Sequence, residues 1–354
     1  MSFVRRALGP IIRISAWLVL IALVAAAVGQ LTRDHSPLLT LAFYLPLGLI
    51  GVALVLLDLS LRGRSLARRP RFAGTLTGLA AVAVQTFMLT GLPAPEPAPP
   101  DKPTVRLLQW NVRWGGGPHR ARDGTWRAFT QTILSHRPDV VVLCESPEPD
   151  WLFDFLRAAG NDATPPADTH TNPALAAGAL GDWHYVMRAS RPDPTVTYRH
   201  RTVICSRWPV EFQSESDLPN GAAVVAVVRP PGQPPIRICA VDGVSLLHVP
   251  RAPLLRALAD LLGRLHSAGR PVDIVTGDFN ATSRAIGFDD VRAAGDTYRH
   301  AASHRAWAGT FPARLPLYDI DHVLINRRWH VADADTFAHP PADHRGQVYT
   351  LWRQ

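Results

Sequence analysis

The stretch Val272–Asn280 (VDIVTGDFN) is an apolar run that ends in two polar side chains, and it decides how the C-terminal part of the chain folds. Its β-branched residues predict a buried strand over Val272–Thr276. Taken alone, the Gly-Asp-Phe-Asn ending is also typical of an ordinary turn. Asp278 and Asn280 become candidate site residues when other strands of the same domain end in the same way.

Four further places repeat this pattern of an apolar run with acids or amides at its end. They are Asn111 after the predicted strand Val105–Gln109, Glu145 after Val140–Cys144, Asp321 beside His322–Ile325, and Asp343-His344 before the short run Val348–Leu351. Each of them singly has the plain interpretation of a turn or loop residue. Because polar side chains at strand ends can converge on one cleft, the five places together predict a single site.

Residues 104–354 are expected to form one α/β domain, because short β-rich runs alternate with amphipathic helical stretches. Further predicted strands are Thr202–Cys205, Ala223–Val228 and Ile236–Val241, and the predicted helices are Trp126–His136 and Pro253–His266. The second helix carries a stripe of leucines. The three cysteines lie within or at the end of apolar runs, which predicts core packing and excludes a disulfide scaffold.

These residue types suit the hydrolysis of a phosphate ester. Carboxylate and amide oxygens without a Cys/His cluster favour Mg²⁺ or Mn²⁺ over Zn²⁺. An acid can orient a water, a cation can neutralise charge on the phosphoryl group, and a carboxylate can hold a histidine in position. The sequence contains no G-x-S-x-G elbow, no H-E-x-x-H motif, no P-loop and no G-x-G-x-x-G after a strand.

The charge of the chain is unevenly distributed. The 354 residues carry a formal net charge of +8, which for a whole chain suggests nucleic-acid binding. Residues 1–92, however, hold 9 Arg and 2 acids, whereas residues 93–354 hold 28 basic and 27 acidic residues. The basic excess therefore belongs to the first quarter of the chain and gives no global attraction between the α/β domain and a nucleic acid.

Residues 1–92 are predicted to be a membrane anchor of three transmembrane helices. Three uncharged apolar runs, at 14–31, 38–57 and 74–92, are each long enough to cross a bilayer. Arginines at the N-terminus and in Arg62–Arg71 predict that both lie in the cytoplasm, which leaves the α/β domain on the extracytoplasmic side. A signal peptide cut near Ala25–Ala27 is the open alternative, and it leaves the domain on the same side.

Residues 93–103 are predicted to be a stiff, extended linker, because six of these eleven residues are proline. Such a linker is expected to hold the catalytic domain off the membrane surface.

The site motifs, in this order, resemble the endonuclease/exonuclease/phosphatase superfamily of deoxyribonucleases, abasic-site endonucleases, inositol-polyphosphate phosphatases and sphingomyelinases. The resemblance runs from Val105 to Leu351. It is carried by LQWNV at 108–112, RPDVVVLCE at 137–145, GDFN at 277–280, IDHVL at 320–324 and ADHR at 342–345. It implies a four-layer α/β sandwich, in which two packed β-sheets are flanked by helices.

The resemblance also implies roles for single residues. Glu145 is expected to ligate the divalent cation, with Asn111 beside it and Asp343 in or next to the metal shell.

The remaining motif residues are expected to act on water and phosphate. Asp278 is expected to position or deprotonate the attacking water, and Asn280 to donate a hydrogen bond to a phosphate oxygen. His344 is expected to contact the scissile phosphate as acid/base or electrostatic stabiliser, held by Asp321.

Two positions depart from the pattern of the superfamily. A His or Tyr usually follows the strand at Ile236–Val241, whereas this chain has Asp242, with His248 further on; either is a possible substrate contact. Asp319 stands where a basic residue is often found. A Pro-, Ala- and Gly-rich insertion, Asn161–Pro194, is either a substrate-selecting loop or a plain surface excursion.

The sequence thus predicts a membrane-tethered, metal-dependent phosphoesterase that acts outside the cytoplasm. Its expected partners are a phosphate-ester substrate, either a nucleic acid or a phospholipid or phosphosugar, and the lipid bilayer around the N-terminal helices. No protein partner is inferable. The alternative is a catalytically silent surface binding module on the same fold.

Overall fold

The computed structural model describes residues 2–61, 73–90, 95–116, 123–147, 175–180, 183–189, 201–301 and 307–354. The chain divides into two compact units. The first unit comprises Met1–Gly91 together with Leu246–Pro250, and the second comprises Leu92–Ser245 and Arg251–Gln354.

The described part of the first unit is helical. Its helices are α1 (Ser2–Thr32), α2 (Pro37–Phe43), α3 (Leu47–Leu61) and α4 (Ala73–Thr90). Two stretches, Ile14–Thr32 and Ala73–Thr90, are long and apolar enough to span a membrane, with mean hydropathies of 2.2 and 1.4. The predicted Arg62–Arg71 loop lies outside the described residues.

The second apolar run, predicted as one helix over 38–57, forms two helices instead. Helices α2 and α3 are bent by 58° relative to each other, and together they count as a third span only if the bent pair is one crossing. The break falls at Tyr44–Pro46, and α3 begins directly after Pro46. Proline has no N–H to donate within a helix and its ring clashes with the preceding turn, which accounts for the break.

The second unit contains two β-sheets. Its strands are β1 (Thr104–Asn111), β2 (Val140–Cys144), β3 (Leu175–Leu180), β4 (Trp183–Ala189), β5 (Arg201–Ser206), β6 (Val210–Leu218), β7 (Gly221–Val228), β8 (Ile236–Gly243), β9 (Ile274–Asp278), β10 (Tyr298–His300), β11 (Asp321–Asn326), β12 (Trp329–Phe337) and β13 (Gly346–Arg353). Among the described residues, one sheet has the order β12-β13-β1-β2-β5-β4-β3 and the other has the order β10-β11-β9-β8-β7-β6.

The main core lies between the two sheets. Alternate residues of strands from both sheets meet there, for example Leu107 of β1, Val142 of β2, Ile238 of β8 and Ile325 of β11. The opposite faces of these strands pack against helices, because side chains alternate between the faces of a strand.

Helices cover both outer faces of the sheets. Besides the single turn Arg113–Gly116, the described helices of the second unit are α5 (Asp123–Ser135), α6 (Ala252–Ser267) and α7 (Gly287–Ala293). Trp126 and Phe129 of α5 pack with Leu108 and Leu143 on the outer face of the first sheet. The predicted leucine stripe of α6 is buried, and the helix lies so close to the second sheet that a Cβ on Gly221 would come within 2.5 Å of Leu254. The predicted four-layer α/β sandwich is confirmed.

The strands that the sequence does not predict are mainly polar or lie at sheet edges. β6 is exposed or half-buried except at its last residue, and β12 has only a few buried residues, so that their many polar residues hide the strand pattern. Part of the Asn161–Pro194 insertion forms the edge hairpin β3–β4 rather than a loop. Residues 161–174, 181–182 and 190–194 lie outside the described residues.

The part of the linker around Glu96 is hydrogen-bonded to the first sheet, whereas a plain spacer would make no such contacts. The backbone N–H of Glu96 donates to the carbonyl of Val331 on edge strand β12 at 2.8 Å, and the indole of Trp352 donates to the Glu96 carbonyl at 3.1 Å. The Glu96 carboxylate also lies 2.8 Å from His330 Nδ1. This part of the linker is therefore bound to the edge of the first sheet.

A buried carboxylate, Asp273, fixes one end of the sandwich. It is 2% exposed and accepts hydrogen bonds from the backbone N–H of Arg237 (2.9 Å), from the Asn326 amide (3.3 Å) and from the Trp329 indole (3.1 Å). Arg328 adds an ion pair at 3.4 Å. One side chain thus joins three strands of the two sheets.

We expect Asp273→Ala to lower the free energy of unfolding by roughly 3 kcal/mol, because removing one partner of a buried charged network leaves the others uncompensated. Thermal or denaturant unfolding of the detergent-solubilised chain measures the change. Asp290→Ala on α7 is the matched control: its partly exposed ion pair with Arg256 is expected to contribute less than about 1 kcal/mol. Equal effects of the two substitutions would contradict this account.

Candidate active site

The candidate site is the polar end of the layer between the sheets. In β1, β8 and β9 the residues that face this layer are mainly apolar along the strand and polar where it ends, at Asn111, Asp242 and Asp278. β8 and β9 run parallel, with Asp242 opposite Asp278, and β11 runs antiparallel to β9, with Asp321 opposite Asp278. This register brings the polar strand ends of the second sheet to one place.

Asn111 links acids that the chain places far apart. Its amide nitrogen donates to Asp278 Oδ2 at 2.8 Å and lies 3.3 Å from Glu145 Oε1. Its carbonyl oxygen accepts from the backbone N–H of Arg113 at 3.0 Å, which fixes the orientation of the amide. Because Asn111 belongs to the first sheet and Asp278 to the second, one side chain connects the two.

His344 and Asp321 form a second connection between the sheets. His344 Nδ1 lies 2.8 Å from Asp321 Oδ2, and His344 Nε2 lies 3.8 Å from Asp278 Oδ2. Burial opposes the protonated imidazole, but the carboxylates of Asp321 and Asp278 outweigh it and raise the pKa of His344 to about 10. The two carboxylates thus favour the protonated ring, in which Nδ1–H donates to Asp321.

Asp278 is held at the centre of this group. Burial and the nearby charge of Asp321 raise the pKa of its carboxyl well above its ordinary value. The possible ligand atoms of Asp278, Asp321 and His344 all lie within 4.8 Å of one another. A carboxylate whose ionised form is disfavoured in this way is a suitable proton acceptor.

The backbone around Asp278 explains the Gly-Asp-Phe-Asn motif. Gly277 has φ +141°, and a Cβ there would lie 1.9 Å from the carbonyl oxygen of Val241, so that only glycine fits. Asn280 has φ 48°, donates its backbone N–H to Asp278 Oδ1 at 2.8 Å, and donates its amide to the Gly243 carbonyl at 2.8 Å. These contacts hold Asn280 beside Asp278.

Glu145 faces the site because the chain turns sharply after β2. Strand alternation would place it on the helix-facing side, but its φ of 46° ends the alternation, and its carboxylate reaches the Asn111 amide. Burial, followed by the charge of Asp242, raises the pKa of Glu145 to about 7. The site is thus short of positive charge at neutral pH.

The predicted residues differ in how closely the structure brings them together. Asn111, Glu145, Asp278, Asp321 and His344 are joined by the contacts above, with Asn280 bonded to Asp278.

The other three predicted residues stand apart from this group in different ways. Asp343 is partly exposed and pairs with Arg113 Nε at 3.5 Å. Asp242 is buried, and its charge acts on Glu145 and Asp278. His248 is exposed and lies in the segment 246–250, which belongs to the first unit and not to the unit that holds the site.

Several supporting residues escaped the sequence analysis. Trp110 donates its indole N–H to the His344 carbonyl at 3.1 Å, and Arg251, which is 1% exposed, donates from Nε to the Asn280 carbonyl at 2.7 Å. Gln109 donates to Asp321 Oδ1 at 3.2 Å. The strand alternation that places Asn111 in the site places Gln109 on the same face, which was the available signal. No local pattern marks Arg251.

The donor set fits a divalent cation such as Mg²⁺ or Mn²⁺. Carboxylate oxygens of Glu145 and Asp278 flank the Asn111 amide, and hard cations prefer oxygen ligands of this kind. The raised pKa values of both acids indicate that positive charge is lacking where a cation would supply it.

The chain is similar to known proteins in both sequence and fold. The sequence model of the Endonuclease/Exonuclease/phosphatase family matches residues 108–344. The fold is similar to the human Nocturnin catalytic domain with bound sulfate anion, with a TM-score of 0.51 and 14% identity, covering 72% of this chain and 96% of that chain. No curated protein matches the sequence.

Two bacterial structures are also similar. The endonuclease/exonuclease/phosphatase from Beutenbergia cavernae DSM 12333 has a TM-score of 0.49 and 17% identity, covering 71% of this chain and 72% of that chain. A family protein from Bacteroides thetaiotaomicron has a TM-score of 0.49 and 16% identity, covering 72% of this chain and 96% of that chain.

We expect Asp242→Asn to increase the metal-free free energy of unfolding by about 1 kcal/mol above pH 7. The substitution removes a negative charge from beside Glu145, whose pKa should fall toward its ordinary value. Ionising Glu145 costs the folded protein free energy, because burial and Asp242 raise its pKa to about 7. This cost is absent in acid, where Glu145 is protonated, and it is complete above pH 7. The gain should therefore shrink as the pH falls.

Thermal unfolding in chelator at several pH values measures this effect. Asp290→Asn, a partly exposed acid on α7, is the control and should leave stability nearly unchanged. A loss of stability in Asp242→Asn above pH 7 would show that its charge is compensated in the metal-free protein.

Proposed function

This chain belongs to the Endonuclease/Exonuclease/phosphatase family, and we propose that it hydrolyses a phosphate ester with a divalent cation bound at the strand-end site. Members of this family are phosphoester hydrolases. The observation that carries the proposal is the buried contact group in which Asp278 lies between the Asn111 amide and the His344 imidazole.

Asp278 is proposed to accept the proton of the attacking water. Its pKa is raised by burial and by Asp321, so that it gains basicity at the place where the water is to be activated. The water oxygen forms a bond to phosphorus and its proton passes to Asp278, while the bond between phosphorus and the ester oxygen breaks and the leaving oxygen takes a proton from solvent to leave as the alcohol.

His344 is proposed to act as an electrostatic stabiliser rather than as the acid for the leaving group. In-line displacement puts the attacking and leaving oxygens on opposite sides of phosphorus. Because His344 Nε2 lies only 3.8 Å from Asp278 Oδ2, both groups are on the side of the attacking water. The protonated ring, held by Asp321, is suited to donate from Nε2 to a phosphoryl oxygen.

Glu145 is the proposed ligand of the divalent cation, with Asn111 beside it and Asp343 at the edge of the site. When bound, the cation would neutralise charge on the phosphoryl group. Asn280 is the proposed donor to a second phosphoryl oxygen. Asp242 adds a negative charge next to Glu145 and is proposed to strengthen the attraction for the cation.

We further propose that the N-terminal helices tether this activity to a membrane, with the catalytic domain outside the cytoplasm. The proposal is supported by the two apolar helices and by the arginine distribution of the sequence. A tethered site works close to lipid headgroups, and the near-neutral second part of the chain offers no general attraction for nucleic acid. A membrane-derived phosphoester is therefore the favoured substrate class.

We expect Asp278→Asn and His344→Gln to reduce kcat on bis(4-nitrophenyl) phosphate at least 100-fold in the detergent-solubilised full chain, since each removes a group proposed to act in the transition state. Stripping the metal with chelator should abolish activity, and Mg²⁺ or Mn²⁺ should restore it. Release of nitrophenolate measures the rates.

Asp290→Asn serves as the control and should keep the wild-type rate. If chelator and both site variants leave the rate unchanged, the proposed chemistry is wrong. If the wild type itself shows no metal-dependent activity on phosphodiesters, phospholipids, phosphosugars or nucleic acids, the silent binding module becomes the better description.

A further inference from the structure

Two glutamines face each other beneath the His344–Asp321 pair. Gln109 on β1 and Gln347 on β13 are directly opposite in the register of the first sheet, and both are buried. Side chains of directly opposed residues lie on the same face of a sheet. Here that face is the layer between the sheets, where Asp321 begins the strand β11.

Both glutamines hold Asp321, and they do so at different atoms. Gln109 Nε2 donates to the carboxylate oxygen Oδ1 at 3.2 Å, and Gln347 Nε2 donates to the backbone carbonyl at 3.4 Å. The other carboxylate oxygen, Oδ2, is the one that contacts His344. The carboxylate is therefore bound on one oxygen while it presents the second to the imidazole.

The orientation of the two amides follows from their partners. Both contacts on Asp321 are made to acceptors, so each amide must turn its NH₂ group toward Asp321 and its oxygen away. Among the residues that the structure describes, neither Gln109 Oε1 nor Gln347 Oε1 has a hydrogen-bond partner, although both are buried. A buried acceptor without a donor costs free energy, so we expect a donor close to each oxygen.

A small cavity adjoins Gln347 where such a donor fits. Its volume is about 20 Å³, enough for one water molecule. Its walls combine apolar surface with the polar side chains of Asp321, Gln347, Ser283 and Thr336. A cavity of this size that has several polar groups in its wall and adjoins an unsatisfied carbonyl oxygen is a typical place for an ordered water.

We propose that Gln109 and Gln347 are positioning residues for the reaction, which set Asp321 so that it orients His344, and that a water molecule in the adjoining cavity donates to Gln347 Oε1. This inference rests on the proposed function of His344. The glutamines touch neither substrate nor cation and act through Asp321. If the Gln109 contact is lost, the carboxylate can rotate, and His344 Nε2 no longer points steadily at the phosphate.

The test is Gln109→Met, a substitution of similar shape, made in the full chain with either wild-type Asp321 or Asp321→Ala. With Asp321 present, we expect kcat to fall about 10-fold while KM changes less than about 2-fold, in the range observed when outer supporting partners are lost. In the Asp321→Ala background, Gln109→Met should cause no further loss of kcat, because Gln109 acts through Asp321, which is then absent.

Gln213→Met on β6 is the matched control, since Gln213 contacts Arg237 rather than the site. It should leave kcat unchanged in both backgrounds. An equal loss from Gln109→Met with and without Asp321, or no loss at all, would overturn the positioning role. Inactivity of the wild type would instead count against the proposed function.

A high-resolution crystal structure of the full chain tests the inference without any substrate. The expected result is an ordered water within hydrogen-bond distance of Gln347 Oε1, with both glutamine NH₂ groups turned to Asp321. An empty cavity, or amides turned the other way, would overturn it. In Gln347→Met the water should be lost, because its acceptor is gone.

Discussion

Two buried hydrogen bonds between the sheets are the contacts on which the site depends. Asn111 of the first sheet donates to Asp278 of the second, and His344, just before β13 of the first, contacts Asp321 of the second. Neither sheet holds a complete site. The site exists only while the apolar layer between the sheets keeps them in register, so the packing of the sandwich and its chemistry are inseparable.

The same layer explains why the ionised forms of Asp278 and Glu145 are unfavourable. Side chains that continue an apolar stripe lie in a poorly solvated place, and burial is the first cause of the raised pKa values of Asp278 and Glu145. The well-packed sheets offset the cost of these acids. A divalent cation would remove much of it, which ties metal binding to the stability of the site.

The sequence predicts those features of the fold and the site that depend only on residues close together in the chain. Strand ends such as Val140–Cys144 followed by Glu145 were predicted, because an apolar run and the residue after it can be read without knowing the partner strand. The polar edge strands β6 and β12 were not, since their pattern becomes a strand only once a neighbour pairs with them. Arg251 and Gln347 support the site through contacts across the fold, which no local pattern reveals, and Pro46 divided a run that composition alone made continuous.

The strand-end site is proposed to direct water to phosphorus. Hydrolysis of an unsymmetrical phosphodiester in ¹⁸O-labelled water by the full chain with Mn²⁺ tests it directly, with mass spectrometry of both products. We expect one ¹⁸O atom per turnover in the phosphate-containing product and none in the alcohol. Label in the alcohol would mean that water attacks carbon instead, and would contradict the assignment of Asp278 and His344.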